Sequence, residues 1–472
     1  MIEDAERFDV VVVGGGPAGQ KAAIQAAKAG RRVLLVDRER SIGGECVSRG
    51  TIPSKTLRET ALYLCGLRRR AAGLLDAELS DNVKVAALMQ RLETVQGDHA
   101  EILRAQMVRN GVEVRRGRAS FRSPNILAVH GVGRSERLVR AEHVVLATGS
   151  RPRRPDNAAV DHEHVLDSDS ILSLIYLPRS LAILGGGVIA CEFASIFAAL
   201  GVEVTLCDGR DRPLGFLSPD LSAGFVAAFE RMGGRYLPGR KVVRAAHDGV
   251  NAVVCELDDG TQLSAEKALC ALGRVASVEG LNLAAAGLAL NDRGHLSADE
   301  NGQTAVAHIY AAGDVAGPPA LAASAMEQGR RAVCHALGLE QGSAVGQVPV
   351  GIYTIPEIAT IGLSTAEVEK RHGSALVGLG LFSELARGQI NGHTEGFIKL
   401  IAGPDGRRLL GAEILGEGAA ELIHVAQMAI IGGMDVDVFV EHVFNFPTLT
   451  EGYRVAALKI VQARPQPASE AA

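Results

Sequence analysis

A chain of 472 residues, at roughly 100–200 residues per domain, has room for about three domains. Its 47% hydrophobic and 22% charged residues exclude a disordered or coiled-coil protein, and a net charge of −5 leaves no basic field for nucleic acid or an anionic membrane. The seven cysteines are widely spaced, none at a metal-ligand interval, so no metal is expected and the thiols read as mostly buried in a reducing compartment. The start, MIEDAERFDVVVV, has no signal-peptide charge pattern, and a cytoplasmic location is expected.

The first element is a buried-strand run, residues 9–13 (DVVVV). Gly14, Gly16 and Gly19 then complete G-x-G-x-x-G, a helix pattern runs to Gly30, and a second strand, RVLLVD, ends in Asp37. The short basic run Arg68–Arg70 reads as a solvated helix face. Residues 141–155 (AEHVVLATGSRPRRP) give a strand, a glycine turn and a Pro/Arg linker, which marks a domain boundary. The opening pattern then repeats. Strand 181–184 leads to Gly185, Gly187 and Ala190, a helix ends at Gly201, and a strand ends in Asp208. Gly14 to Asp37 and Gly185 to Asp208 both span 23 residues. The most apolar stretch, 181–206, is interrupted by Glu192, Glu203 and glycines, so it reads as strand–helix–strand and not as a membrane span.

Each copy carries a physical mechanism. The first glycine permits the tight strand-to-helix turn, the second admits a pyrophosphate against the backbone, and the third position must be small for helix and strand to pack. The helix N-terminus offers free N–H groups to phosphate, and the acid ending the second strand can accept from ribose hydroxyls. Two copies in register predict two dinucleotide-binding Rossmann-like domains and an α/β fold. IYAAGDV, near 309–315, is a strand ending in a Gly-Asp turn that is expected to return to the first domain. After Pro349 alternating strands (GFIKLIA, LLGAEIL) and apolar helices predict an α+β domain. The expected division is 1–150 with 276–346, then 151–275, then 347–463, with a disordered polar tail from Arg464.

The segment from Gly43 to Lys55, GGECVSRGTIPSK, with ATGSRP (147–152), GGGVIACE (185–192), AAGDV (311–315) and PTLTE (447–451), resembles the flavin disulfide reductase family over essentially the whole chain. The resemblance implies FAD on the first repeat, held at Gly14, Gly16, Gly19, Asp37, Cys46, Thr51, Thr148, Gly149 and Asp314. It implies a nicotinamide dinucleotide on the second, at Gly185, Gly187, Ala190, Asp208 and Arg210, and a homodimer built through the third domain with each C-terminal segment facing the partner's flavin. Lys55 and Glu192 would form an ion pair beside flavin N5 and are the expected catalytic residues.

Two departures from the family pattern decide the expected chemistry. Cys46 keeps the first thiol of C-x4-C, but Thr51 stands at the second, and Phe446 stands where the disulfide reductases carry a histidine, although Glu451 remains. A threonine hydroxyl cannot accept electrons for thiol exchange, and phenylalanine cannot protonate a leaving thiolate. Cys46 then reads as a vestigial thiol. The intact half-reaction is hydride exchange with a nicotinamide. C-x-x-x-G-T-I-P-S-K and FNFPTLTEGYRVAAL, with SDSILSL, PVGIYTIPEI and GEGAAELIH, resemble the soluble pyridine nucleotide transhydrogenases of that family, which implies ping-pong hydride transfer between NADPH and NAD. The alternative is an NAD(P)H:quinone or dye reductase with its acceptor near Phe444 and Phe446; a non-catalytic flavoprotein is disfavoured by the intact Lys55 and Glu192.

The specificity residues point both ways. Asp208 suits the ribose 2′-OH of NAD, whereas Arg210 and, beyond it, Arg212 suit the 2′-phosphate of NADP; Asp208 and Arg210 pairing only with each other is the plainer reading. Cys65, Cys191, Cys207, Cys255, Cys270 and Cys334 lie in apolar runs and are expected in the core, as is His424, in the core or at an interface. His442 as a substitute acid is disfavoured, and Asn445 and Tyr453 receive no role.

Overall fold

A computed structural model of the chain describes residues 5–71, 85–131, 133, 135–342 and 346–465, apart from the side chains of 67–71. The Arg68–Arg70 side chains and the tail from 466 therefore lie outside the described residues. The DVVVV run lies in the central strand, Glu6–Val13, of a sheet whose parallel order is Glu113–Arg116, Val33–Asp37, Glu6–Val13, Glu136–Leu146 and Ile309–Ala311. Parallel strands covered on both faces need side chains that shed water on both, which is why the inner runs Val10–Val13 and Val33–Val36 are continuously apolar, whereas the edge strand Glu113–Arg116 is charged and mostly exposed. Strand Glu136–Leu146 also starts an antiparallel meander with Ile126–His130 and Arg118–Ser123. The pairing of Ile309 with Val144 returns the chain to this first sheet.

Between those passes lies a second sheet of five parallel strands, ordered Arg235–Leu237, Glu203–Cys207, Ser180–Leu184, Lys267–Cys270 and Val165–Asp167. The 181–206 stretch resolves as strand, helix Val188–Ala199 and strand, with Ala190 to Ala199 buried throughout. An antiparallel pair, Ser150–Pro152 with Arg274–Ala276, links the two sheets. After residue 349 a five-stranded antiparallel sheet forms, which helices Ala419–Ile431 and Glu451–Gln462 cover. The α/β fold with an α+β third unit follows the sequence pattern. Among the described residues, no helix is long and apolar enough to cross a membrane.

Buried ion pairs join the third unit to the others. Arg58 is fully buried: Nε donates to the Thr354 carbonyl at 3.0 Å, and the guanidinium meets Glu417 at 2.8 Å and Glu357 at 3.1 Å. Lys399 sits 2.7 Å from Glu413 and 2.8 Å from Asp220. Removing one partner from such a pair strands a buried charge, at a cost of about 3–5 kcal/mol.

Three expectations need correction. Cys65 is half-exposed, while Cys191, Cys207, Cys255, Cys270 and Cys334 are buried. Its position far along helix Thr51–Ala71 keeps part of its surface outside the packed face. His424 is exposed on helix Ala419–Ile431 and lines a cleft, because the buried stripe of that helix runs through Ala420, Ile423 and Ala426; of the two places expected for it, this excludes the core and not an interface. Arg464, expected in the loose tail, is held: Nη2 donates to the Gly406 carbonyl at 3.0 Å and Nη1 pairs with Asp437 at 2.8 Å.

Candidate active site

A cleft of about 590 Å³ opens where the first sheet's C-terminal strand ends meet helix Val188–Ala199 and the third unit. Its floor is bare backbone. Gly14 has φ +104°, a conformation open to glycine, and a Cβ there would lie 2.3 Å from the Ala147 carbonyl oxygen. A Cβ on Gly19 would lie 1.8 Å from the Gly14 carbonyl oxygen, so only glycine lets helix Pro17–Lys28 start so close to the strand. A Cβ on Gly44 would come within 2.7 Å of the Gly16 Cα, so two loops meet here without side chains. The helix begins with Gly16 extended and Pro17 at its first position, where a missing N–H costs nothing. Its remaining free N–H groups face the cleft end of the strand.

The polar groups around this cradle are arranged for a ligand. Asp37 accepts from Gly15 N at 2.6 Å and Glu39 N at 2.8 Å, and burial pushes its carboxyl above the ordinary range. The Thr148 hydroxyl is buried in the cleft wall without a protein partner, and Gly149 follows it with φ +69°. Asp314 accepts from the Ser150 hydroxyl at 2.6 Å, and that hydroxyl in turn accepts from Arg274 Nε at 2.8 Å.

At the other end of the cleft the two expected catalytic residues meet. Lys55 enters from helix Thr51–Ala71 and Glu192 from helix Val188–Ala199; Nζ lies 2.7 Å and 2.9 Å from the two carboxylate oxygens. A third residue, Tyr353, completes the cluster from the third unit. Its backbone N–H donates to Glu192 Oε1 at 2.9 Å, and the Lys55 ammonium stands 4.9 Å from its ring centroid. Three parts of the chain thus converge on one charge pair. Nothing in the sequence singles out Tyr353, since its partners are distant in the chain; PVGIYTIPEI marked the segment but not the residue. Cys46 and Thr51 lie on the same wall of the cleft. Burial pushes the Cys46 thiol up, which keeps it protonated and weakly nucleophilic near neutral pH. Among the described residues, Cys46 is the one thiol that lines the cleft.

The second glycine turn repeats the first at the level of single hydrogen bonds. Gly14 N donates to the Val36 carbonyl at 2.8 Å, and Gly185 N donates to the Cys207 carbonyl at 2.8 Å. Gly187 caps its helix in the extended conformation that Gly16 adopts, and Ala190 is fully buried where the first copy has Gly19. Asp208 ends the adjacent strand and is buried, with Arg210 Nε 3.2 Å from its Oδ2. Arg212 does not join them: its guanidinium donates to the Leu217 and Gly215 carbonyls, at 2.9 and 3.1 Å, and so braces the loop. His442 is exposed, within hydrogen-bond reach of the Val438 carbonyl, and Phe446 is exposed near it. Among the described residues, no His/Cys/Asp/Glu group is arranged to hold a metal.

Comparison with known proteins places this architecture. Residues 8–329 match the pyridine nucleotide-disulphide oxidoreductases, and 348–457 match the dimerisation domain of the same proteins. The chain belongs to this family. It is an FAD-dependent oxidoreductase that uses a nicotinamide dinucleotide. It is 41% identical over 455 residues to a soluble pyridine nucleotide transhydrogenase of Mycobacterium bovis, covering 96% of this chain and 97% of the relative. A transhydrogenase of the same description from Hahella chejuensis is 37% identical over 96% of this chain and 98% of its own. Among solved structures, LpdA from Mycobacterium tuberculosis matches with a TM-score of 0.88 at 27% identity, over 97% of this chain and all of that one. The flavoprotein disulfide reductase RclA from Escherichia coli matches at 0.86 and 25%, over 96% and 99%. FAD fits the first site on the structure's own terms: a side-chain-free cradle at a helix N-terminus, an unpartnered buried Thr148 hydroxyl, and a cleft of the size that holds such ligands.

Proposed function

We propose that this protein is a soluble-type transhydrogenase: it passes hydride between NADPH and NAD by a ping-pong route through one flavin site, with no redox disulfide. The observation that carries the reading is the Lys55–Glu192–Tyr353 cluster, intact beside a position 51 that holds a hydroxyl in place of a thiol. The Gly14–Gly19 turn, Asp37, Thr148 and Asp314 would hold FAD, which when bound would supply the ring for hydride uptake and return. Lys55 places a positive charge at the reacting end of the cleft, and Glu192 fixes its direction through both carboxylate oxygens. The Tyr353 backbone N–H also donates to Glu192, so neither group must reorganise as charge moves. The second glycine turn and Asp208 would bind the nicotinamide dinucleotides in succession. With Thr51 in place of a second thiol, Cys46 has no sulfur partner in that motif through which to pass electrons to a disulfide substrate.

The reading includes a homodimer. The third unit leaves apolar side chains in solvent: Val443 is 92% exposed and Phe446 75%, and Met428 and Ile431 of the same unit are exposed as well. A surface of that kind on a dimerisation domain supports a second copy as its cover. The test is direct. Purified protein mixed with NADPH and an NAD analogue of distinct absorbance should exchange hydride without added quinone. Rapid turnover of quinones with no exchange between nucleotides would replace this reading by a quinone reductase.

A further inference from the structure

The nucleotide-specificity loop contains more than Asp208 and Arg210. We propose that Lys241 is the second cation for the 2′-phosphate of NADP, an assignment that rests on the transhydrogenase reading and names a residue outside the glycine-turn motif. A site that accepts both nucleotides faces an electrostatic problem. A 2′-phosphate brings about −1.5 to −2 charges next to Asp208, which is already negative. Arg210 can turn from Asp208 to the phosphate, because its side chain is more than half exposed and the pair is held by Nε alone. One guanidinium does not balance phosphate and carboxylate together.

The neighbouring cations are not equivalent. Arg212 is committed to the Gly215 and Leu217 carbonyls. Arg240 lies 2.9 Å from Asp259, so its charge is already matched. Lys241 is exposed, and among the described residues it has no acidic partner. It is also in the right place. The turn that carries it is fastened to the loop by two backbone bonds, Arg240 N to the Asp208 carbonyl at 3.0 Å and Gly239 N to the Arg210 carbonyl at 2.9 Å. The Lys241 stem then crosses Gly209, the residue after Asp208: a Cβ on Gly209 would stand 2.8 Å from Lys241 Cγ and 3.6 Å from Cε. The absence of a side chain at 209 is what lets the ammonium approach the end of the Asp208 strand. A lysine is a compact, mobile point charge, suited to a phosphate that is present in one substrate and missing from the other.

The experiment titrates the FAD-loaded protein with oxidised NADP and, separately, oxidised NAD, by calorimetry, so that no hydride moves. Lys241→Gln should weaken NADP about tenfold at low salt, the size of one lost charge-assisted contact, and leave NAD within twofold. Lys241→Arg should restore NADP binding, and the difference between wild type and Lys241→Gln should shrink as salt rises. An unchanged NADP-to-NAD ratio in Lys241→Gln, in protein whose parent binds both, overturns the assignment of Lys241 and leaves the transhydrogenase reading standing. A parent protein that binds neither nucleotide overturns both.

Discussion

Replacing Glu192 by glutamine tests the charge pair with almost no change of shape. In the wild-type cluster Glu192 accepts three hydrogen bonds, two from Lys55 Nζ and one from Tyr353 N, with its side chain 7% exposed. Glutamine keeps one acceptor oxygen and turns its NH2 toward a cation or an N–H donor. One charge-assisted bond is lost, worth about 1.5–3 kcal/mol. The Lys55 ammonium also loses its counter-charge, but at 25% exposure water recovers part of that deficit. The combined loss is set at about 2–3 kcal/mol, or about 30- to 150-fold in the rate of flavin reduction if the pair acts in the transition state. The assay is stopped-flow bleaching of the flavin by NADPH and, separately, by NADH. Both rates should fall together, because the pair serves the ring and not the nucleotide's ribose. Reduction within threefold of wild type, in protein that keeps its flavin and its melting temperature, would refute the claim that this pair governs hydride transfer.

Tyr353→Leu removes the ring beneath the ammonium but keeps the backbone donor, and should slow flavin reduction about fivefold, a cation–π contribution of about 1 kcal/mol; Tyr353→Phe should match wild type in the same stopped-flow assay. Cys46→Ser should exchange hydride at the wild-type rate within twofold, whereas a loss above about tenfold would restore a thiol step to the mechanism. Asp169, half-buried with Glu45 and Asp167 nearby, has its carboxyl raised to about 6. The folded state therefore holds a proton that the unfolded state has released between about pH 4 and 6, so stability falls across that window and stays lower above it. Asp169→Asn, which mimics the protonated form, should raise the melting temperature at pH 7.5 and leave it unchanged at pH 4; an equal shift at both would remove the carboxyl from this account.

What the sequence disclosed was whatever local geometry imposes on residue type. Gly14 and Gly19 were legible because a Cβ at either would collide with backbone, so no other residue can stand there. The repeat at Gly185 followed, and with it the two parallel sheets, since strands buried on both faces must be apolar without interruption. Lys55 and Glu192 were legible only as parts of motifs; their contact across 137 residues is a tertiary fact. Tyr353, Arg58 and Lys241 left no trace because each acts through a neighbour far along the chain: Tyr353 on Glu192, Arg58 on Glu357 and Glu417, Lys241 over a glycine in another loop. Arg212 failed for a related reason. Its charge suggested phosphate, but a loop that turns through Leu214 at φ +52° leaves carbonyls unsatisfied, and the nearest guanidinium fills them.

The same distinction separates the two halves of the proposed chemistry. The flavin cradle is built from one contiguous turn and a few flanking groups, so a change there, such as Gly19→Ala, acts within one domain. The redox end is shared among three, with Lys55 from the first, Glu192 from the second and Tyr353 from the third, and Arg58 fastens the helix of Lys55 to the segment of Tyr353 through the Thr354 carbonyl. The orientation of the charge pair therefore depends on how the third unit docks, and that unit carries the exposed apolar surface that a second copy would cover. On the proposed reading, assembly and hydride transfer would be coupled through the third unit: dissociating two copies should loosen Tyr353 before it disturbs the glycine cradle, so that the flavin stays bound while its reduction slows.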